Sequence, residues 1–495
     1  MSEETKEGEV TTSVGTAITC KAIVAMGSVA LHIMFFQLEV ISAQVAIAFN
    51  IPVQTTSIYL EKLFGIRFLG FVLGVTTEYI IFRIYSEIKP DHANWNRVYI
   101  NETAFGLMLF ARIILFIVTM CSSNLAYHVY FALAFESFAL GSVGGSIFAV
   151  VPQHVAVHVL FAHLSRLLTF LVQFFLDIAY KESLPKIKFQ FFFCVILNAI
   201  ACGCFYYYHH KLGCSDLLRP ATQEEKHKEK EQKNKGVNGT SGNNNGSSNG
   251  NGGGNGENAG MYTKDPPEKK NFIETFGAAA SPFLMYSIGS VLFDTLFPGI
   301  LPYAFISRER AHMVNMILPI AGMTGPVLLF ILESAGKFDK WHDEFDIAWL
   351  WVIPMTIVFI YSILAVHTRI PSARRIINNR PVILAMTFTG ALGNSFMDPL
   401  SFAGVAKKLF LSGFIPDIGV LMFHQFFCIS IRFYHYKISV GYNVTRIDLG
   451  YILPKFRPNH RMSKWNTFWY VLRTTFKKAG RDAISDMTMN VKEYL

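Results

Sequence analysis

Residues 22–48 read AIVAMGSVALHIMFFQLEVISAQVAIA, and this run decides the class of fold. A helix rises about 1.5 Å per residue, so the run covers a hydrocarbon core of about 30 Å. Its apolar residues are continuous rather than alternating, which predicts a helix and not a barrel strand. In lipid each backbone N–H and C=O must be satisfied inside the segment, so a helix is the economical solution. The first span still carries His32, Gln37 and Glu39.

The rest of the chain shows the same bias. Of 495 residues, 52% are hydrophobic and 45 are phenylalanine. Only 16% are charged, against about 25% in soluble domains. A soluble enzyme or a disordered scaffold is excluded, because neither can hide that much apolar surface. Similar runs recur near Leu63–Tyr85, Thr103–Cys121, Leu125–Val150, His154–Leu176 and Phe189–Tyr208. Five more follow near Ser281–Tyr303, Met313–Leu332, Ile347–Val366, Val382–Ala403 and Gly413–Phe433. The expected total is about eleven, with a twelfth, interfacial element near Trp465–Phe476.

A polar segment separates the sixth and seventh spans. Glu224 to Lys235 is a mixed charge run, and Asn238 to Gly260 is almost pure Asn, Gly and Ser. Such a tract buries no core and reads as a flexible linker. The expected organisation is therefore an N-terminal tail (1–21), a six-helix bundle (22–208), a linker (209–280), a five-helix bundle (281–437) and a basic tail (438–495). Two helical halves around a midplane site are common in carriers.

Basic residues on both flanks of the linker (Lys226 to Lys235, then Lys264, Lys269 and Lys270) place it in the cytoplasm, with the amino terminus. Arg83, Lys89, Arg97, Lys407 and Lys408 agree. The loop with Arg369, Arg374, Arg375 and Arg380 disagrees, as does the tail. Met1 to Val10 lacks a basic n-region, so the first span is expected to act as its own membrane signal. Of seven cysteines, Cys121, Cys194, Cys202, Cys204 and Cys428 lie in apolar runs and read as small hydrophobes. No C-x-x-C pair calls for a metal, and no basic folded domain calls for a nucleic-acid partner. Of the sequons, only Asn443 is placed where a glycan would be added.

Charged groups inside spans are expensive and tend to face a bundle interior or a water cavity. Here they include Glu39, Glu78, Arg112, Glu136, Arg166, Asp177, Asp294, Glu333, Asp398 and Arg432. Together they point to a polar pathway. Gly141, Ser142, Gly144, Gly145 and Ser146 in the fourth span permit close helix approach. The seventh span closes on Asp294-Thr295-Leu296-Phe297-Pro298-Gly299-Ile300, where Pro and Gly predict a helix break or end. Glu333 and Lys337 stand four apart at the end of the eighth span and predict an ion pair on one helix face.

These patches resemble the equilibrative nucleoside transporter family. That family has eleven helices and a large cytoplasmic loop after the sixth. A Phe-Pro turn closes its seventh helix, and an Asp-x-x-Gly-Arg-like pattern ends its eighth. The matching residues are Phe297-Pro298-Gly299 and then Glu333 to Lys337, with Glu for Asp and Lys for Arg. Lys lacks the planar fork of Arg. Pro371 to Arg375 with Arg380-Pro381-Val382 resembles the family's external basic loop, which would account for one charge conflict. Gly393-Asn394-Ser395-Phe396 resembles its Asn-Gly-Tyr patch, and Glu136-Ser137-Phe138 through Gly145-Ser146-Ile147-Phe148 its fourth-helix run. The chain departs where the family has Trp-Asn (here Gln37-Leu38), a base-contacting Gln (near Gly144) and a glycine-rich fifth span (here His154, His158, His163 and Arg166).

The resemblance implies an all-α integral membrane protein, a major-facilitator-like two-bundle carrier and not an enzyme. It would move nucleosides or nucleobases, purines included, by alternating access without a cofactor, from the plasma membrane. Its expected substrate-binding residues are Gln37, Glu39, Glu136, Phe297, Glu333, Lys337 and Asn394. The carrier is read as facilitative, with proton coupling through Glu39, Glu78, Glu136 or Glu333 as the alternative. No G-x-x-x-x-G-K-S/T loop supports ATP drive. The rivals are a carrier of another small polar metabolite, such as a sugar or amino acid, a membrane transferase built on His154 and His158, and a receptor without flux.

Overall fold

The computed structural model describes residues 3–89, 93–151, 154–212, 214, 270–338, 340–410, 419–453 and 456–488. They are helical with no strand among them. The most polar stretch expected in the linker and the loop 411–418 lie outside the described residues.

Six helices precede the linker: α1 (Glu3–Ala48), α2 (Thr56–Ile88), α3 (Ala93–Cys121), α4 (Leu125–Val150), α5 (Val155–Ala179) and α6 (Ser183–His210). After it come α7 (Phe272–Ala278), α8 (Ala280–Asp294), α9 (Arg308–Asn315) and α10 (Leu318–Ser334). A 3-10 segment (Asp343–Trp351) then leads into α11 (Val352–His367), followed by α12 (Arg380–Phe410), α13 (Gly419–Asp448) and α14 (Lys464–Met487). Side chains fix several starts. Asn124 accepts from the Tyr127 amide at 3.1 Å, and Ser463 accepts from that of Asn466 at 3.2 Å. Asn271 and Glu274 form a reciprocal capping box at α7.

Among the described residues seven helices are long and apolar enough to cross a membrane, or eight if the bent pair α7–α8 is one span. The other long helices, α2, α12, α13 and α14, are not among them, and they are richer in polar and charged residues. Their ionisable residues, such as Glu61, Lys62, Arg67, Asp398, Arg432 and Lys437, face protein rather than lipid. The protein is thus an all-helical, multi-pass membrane protein.

Several expected limits shift. The first helix runs on from Glu3, so the stretch expected as a tail is helical from there, while the apolar span within it starts at Thr16. The seventh span does not continue to Tyr303. Its helix stops at Asp294, and Thr295 to Ile306 is buried, irregular backbone with cis peptide bonds at Phe297–Pro298 and Leu301–Pro302. The limit at 280/281 falls just inside α8, which starts at Ala280, and α7 lies within the last part of the stretch expected as linker. The limit at 437/438 falls inside α13, which runs fifteen residues past Phe433 to Asp448. The added turns are polar and packed on protein, so hydropathy does not register them. Asn443 in these turns is fully buried and donates to the Ser439 carbonyl at 2.9 Å, which corrects the expected glycan site.

The halves repeat one another. Matched in chain order, α1, α2, α3, α4 and α5 correspond to α8, α10, α11, α12 and α13, although α8 packs closely on α12 whereas α1 does not pack so on α4. The packed pairs α1–α5, α2–α4 and α3–α4 recur as α8–α13, α10–α12 and α11–α12. Between the halves, α2 packs on α13 and α10 on α5, which are again equivalent pairs. α6 has no counterpart. Chain direction then defines two faces. The linker face carries the starts of α1 and α8 and the end of α6, and a Cys20–Cys214 disulfide joins α1 to the residues after α6 there. The distal face carries the ends of α1, α8 and α13.

The small residues of α4 meet α2 backbone to backbone. A Cβ on Gly141 would lie 2.2 Å from the Phe71 carbonyl oxygen, and one on Gly74 2.0 Å from that of Phe138. Gly141→Leu is expected to lower stability by about 1–3 kcal/mol through overpacking. Gly106, with nothing within 4 Å of its Cβ position, supplies the control. Thermal melts in detergent should drop for Gly141→Leu and stay level for Gly106→Ala.

Candidate functional site: a charged centre between the halves

Each half supplies one arginine to the interface. Arg166, on α5, donates to Glu39 of α1 at 3.1 Å, and its guanidinium lies 3.8 Å from the Phe36 ring centroid. Arg432, on α13, donates to Asp294 at the end of α8 at 2.8 and 3.3 Å. Its other nitrogen lies 3.6 Å from Asp398 of α12. Ser290 and Tyr436 also donate to Asp294, at 2.6 and 3.4 Å.

The two arrangements are related by the internal repeat. α1 and α5 carry the first acid and arginine, and their equivalents α8 and α13 carry the second. Each arginine also reaches the opposite half. A Cβ on Gly322 of α10 would come 2.3 Å from Arg166, so glycine there makes room for the guanidinium. Arg432 lies 5.2 Å from the Phe68 centroid on α2 and 5.8 Å from that of Tyr286. Two arginines and three carboxylates therefore meet at mid-height. Asp294 is fully buried, whereas Glu39, Arg166, Arg432 and Asp398 keep 13–21% of their side-chain surface accessible. Such a centre can exchange internal ion pairs for the polar groups of a solute at low dielectric.

From Arg166 toward the linker face, α1 and α5 present His32, His158 and His163. His158 bonds Ser28 at 2.7 Å, and His163 stacks on Phe36 at 6.0 Å. His158 thus engages a serine, and no group of three His, Cys, Asp or Glu side chains is placed for a metal among the described residues.

Toward the distal face the halves are bound together. Ser42 bonds Tyr303 at 2.8 Å and accepts from Asn315 at 2.9 Å. His312 meets Asp177 at 2.7 Å, and Arg308 donates to the Ile51 carbonyl at 2.7 Å. Buried Glu61 accepts from Ser439 at 2.7 Å and from the Gly299 amide, which pins the irregular segment after α8 to α2.

The expected site residues are scattered over this frame. Glu39 lies in the charged centre. Asn394 is buried where α12 crosses α8, with its Oδ1 3.5 Å from the Cβ position of Gly289. Gln37 donates to Gln190 at 2.6 Å and heads a chain through Gln173 to Asp177. Glu136 is fully buried between Arg112 at 3.1 Å and Arg67 at 3.6 Å, inside the N-terminal half. Phe297 stacks on Phe293 and packs with Leu318, Ala321 and Ala391.

Glu333 and Lys337 do not pair. Gly336 takes φ +67°, and the Lys337 amide returns to the Leu332 carbonyl, so the helix ends before Lys337 joins its face. Glu333 instead pairs with Lys407 at 3.0 Å near the linker face, and Lys337 is exposed. Gly336 was the legible sign of that ending. Asp294, Asp398, Arg166 and Arg432 were visible as intramembrane charges, but nothing local ranked them above the rest.

No protein-family model and no curated protein matches the sequence. Among solved structures, the crystal structure of D-xylose–proton symporter matches with a TM-score of 0.52 over 96% of this chain and 97% of its own, at 10% identity. The chain shares that two-bundle fold. Weaker likenesses are the nucleoside transporter NupG (TM-score 0.44, 10% identity, 95% and 98% covered) and the xylose transporter XylE from E. coli (0.48, 11%, 92% and 94%).

Proposed function

We propose that the protein is a carrier that moves a small polar solute across a membrane by alternating access, with the charged centre as the solute seat. One observation carries this reading: equivalent helices of the two halves each aim an arginine–carboxylate pair at the interface between them. A solute that engages both pairs couples the halves, and its binding energy lowers the barrier between two packings. The distal contacts describe a state closed on that face. The seat keeps Glu39 and Asn394 and adds Arg166, Asp398 and Arg432. Gln37, Glu136, Phe297 and Glu333 hold the frame.

Nucleosides or nucleobases are the first substrate class, supported by the Phe-Pro turn and the Asn394 patch. A second reading, an amino acid or another small polar metabolite, is favoured by the charges themselves. Two guanidinium groups beside accessible carboxylates suit a solute bearing both signs. The linker face is assigned to the cytoplasm and the protein to the plasma membrane. The Cys20–Cys214 bond speaks against that side, because thiols are kept reduced in the cytosol; under this assignment both cysteines should react with maleimide in intact cells. A bond that persists there would reverse the orientation.

The test is initial-rate uptake of labelled adenosine, uridine, hypoxanthine, xylose and a panel of amino acids in cells lacking their own carriers. Saturable uptake of one class should fall at least about tenfold in Arg166→Lys, which keeps the charge but loses the fork. Dissipating the proton gradient should leave the initial rate unchanged if transport is facilitative. No uptake of any solute by surface-resident protein rejects the reading.

A further inference from the structure

The C-terminal helix α14 stands outside the two-bundle scheme, yet it is tied into both halves. Its Thr475, Ala479, Asp482 and Asp486 recur at helical spacing and form a buried stripe. At the top of the stripe, α13 comes so close that a Cβ on Gly441 would lie 2.2 Å from the Thr475 carbonyl oxygen. At its lower end two acids meet two lysines. Lys62 of α2 pairs with Asp486 at 3.0 Å and with Asp482, and Lys437 of α13 pairs with Asp482 at 2.8 Å and with Asp486. Tyr130 of α4 donates to Asp486 at 2.9 Å. None of the five side chains exceeds 3% exposure.

The four charges cancel, and each lysine reaches both acids. Lys62 and Tyr130 belong to the N-terminal half, and Lys437 to the other. If α14 leaves, both buried ammonium groups lose the two acids they are paired with. If the distal ends of α2 and α13 part while α14 stays, at least one lysine loses its acids. Removing one partner of a buried pair costs far more than an exposed pair contributes. The same ends of α2 and α13 hold Glu61–Ser439 and the stacked pair Phe64–Tyr436, 5.7 Å apart, so α14 is seated on the seam of the distal closure.

We propose that α14 is a bolt on the distal gate: docked, it holds α2 and α13 together through the Lys62–Lys437–Asp482–Asp486 cluster, and its release permits opening to that face. The role as a gate rests on the carrier reading, but opening can be read without transport. Ser42 is fully buried in the distal closure and reports on it as Ser42→Cys, with exposed Cys121 changed to Ser.

A membrane-impermeant maleimide is added to each face in turn, with full-length protein in native membranes. Asp482→Asn with Asp486→Asn takes both carboxylates from the lysines and should raise distal labelling of position 42 at least tenfold. A second variant, with Lys62 and Lys437 changed to Met and both acids to Leu, removes the charges while keeping an apolar contact, and should label as slowly as the parent. Unchanged labelling in the Asn variant, with its melting profile intact, overturns the bolt. Faster labelling without uptake of any solute keeps the bolt and removes the carrier reading.

Discussion

Arg432→Ala is expected to abolish uptake and to cost about 3–5 kcal/mol of stability, the largest effect of any single change in the charged centre. The arginine donates twice to Asp294, which is fully buried, and also faces Asp398. Without it two carboxylates share a low-dielectric pocket with no cation of their own half. Asp294→Asn with Arg432→Gln should recover most of the stability, because amides can satisfy each other, and none of the transport. The readouts are a thermal melt and initial-rate uptake at matched surface level. Wild-type uptake in Arg432→Ala would remove this centre as the solute seat.

Glu136→Ala should do comparable damage for a different reason. Glu136 pairs with both Arg67 and Arg112, and all three side chains are fully buried. Both arginines also hold the α1 backbone, Arg112 at the Ala30 and Leu31 carbonyls and Arg67 at that of Phe35. Removing the acid leaves two facing buried cations and loosens α1 through α4 together, at about 3–5 kcal/mol. The expected result is loss of folded, monodisperse protein, unlike the lower affinity that loss of a solute contact produces. A normal melt with a raised KM would return Glu136 to the substrate site that the sequence suggested.

These residues show how far a linear reading reaches. The intramembrane charges were recognisable one by one, because each breaks an apolar run. Their partners were not. Glu39 and Arg166 are 127 positions apart, Asp294 and Arg432 138, and Lys62 and Asp482 420. The one pair read from local spacing, Glu333 with Lys337, fails because Gly336 turns the chain before the second residue completes the face.

The sequence by itself determined the solvent, the helical class and a helix break or end in the Asp294–Ile300 segment. Each is a property of composition or of a few neighbouring residues, and lipid imposes it along the chain. Tertiary structure decided which charges are frame and which are site, how far α13 extends, and that the tail returns as α14. A charge buried in a membrane protein takes its meaning from the opposite charge it meets, and in this fold that partner comes from another helix.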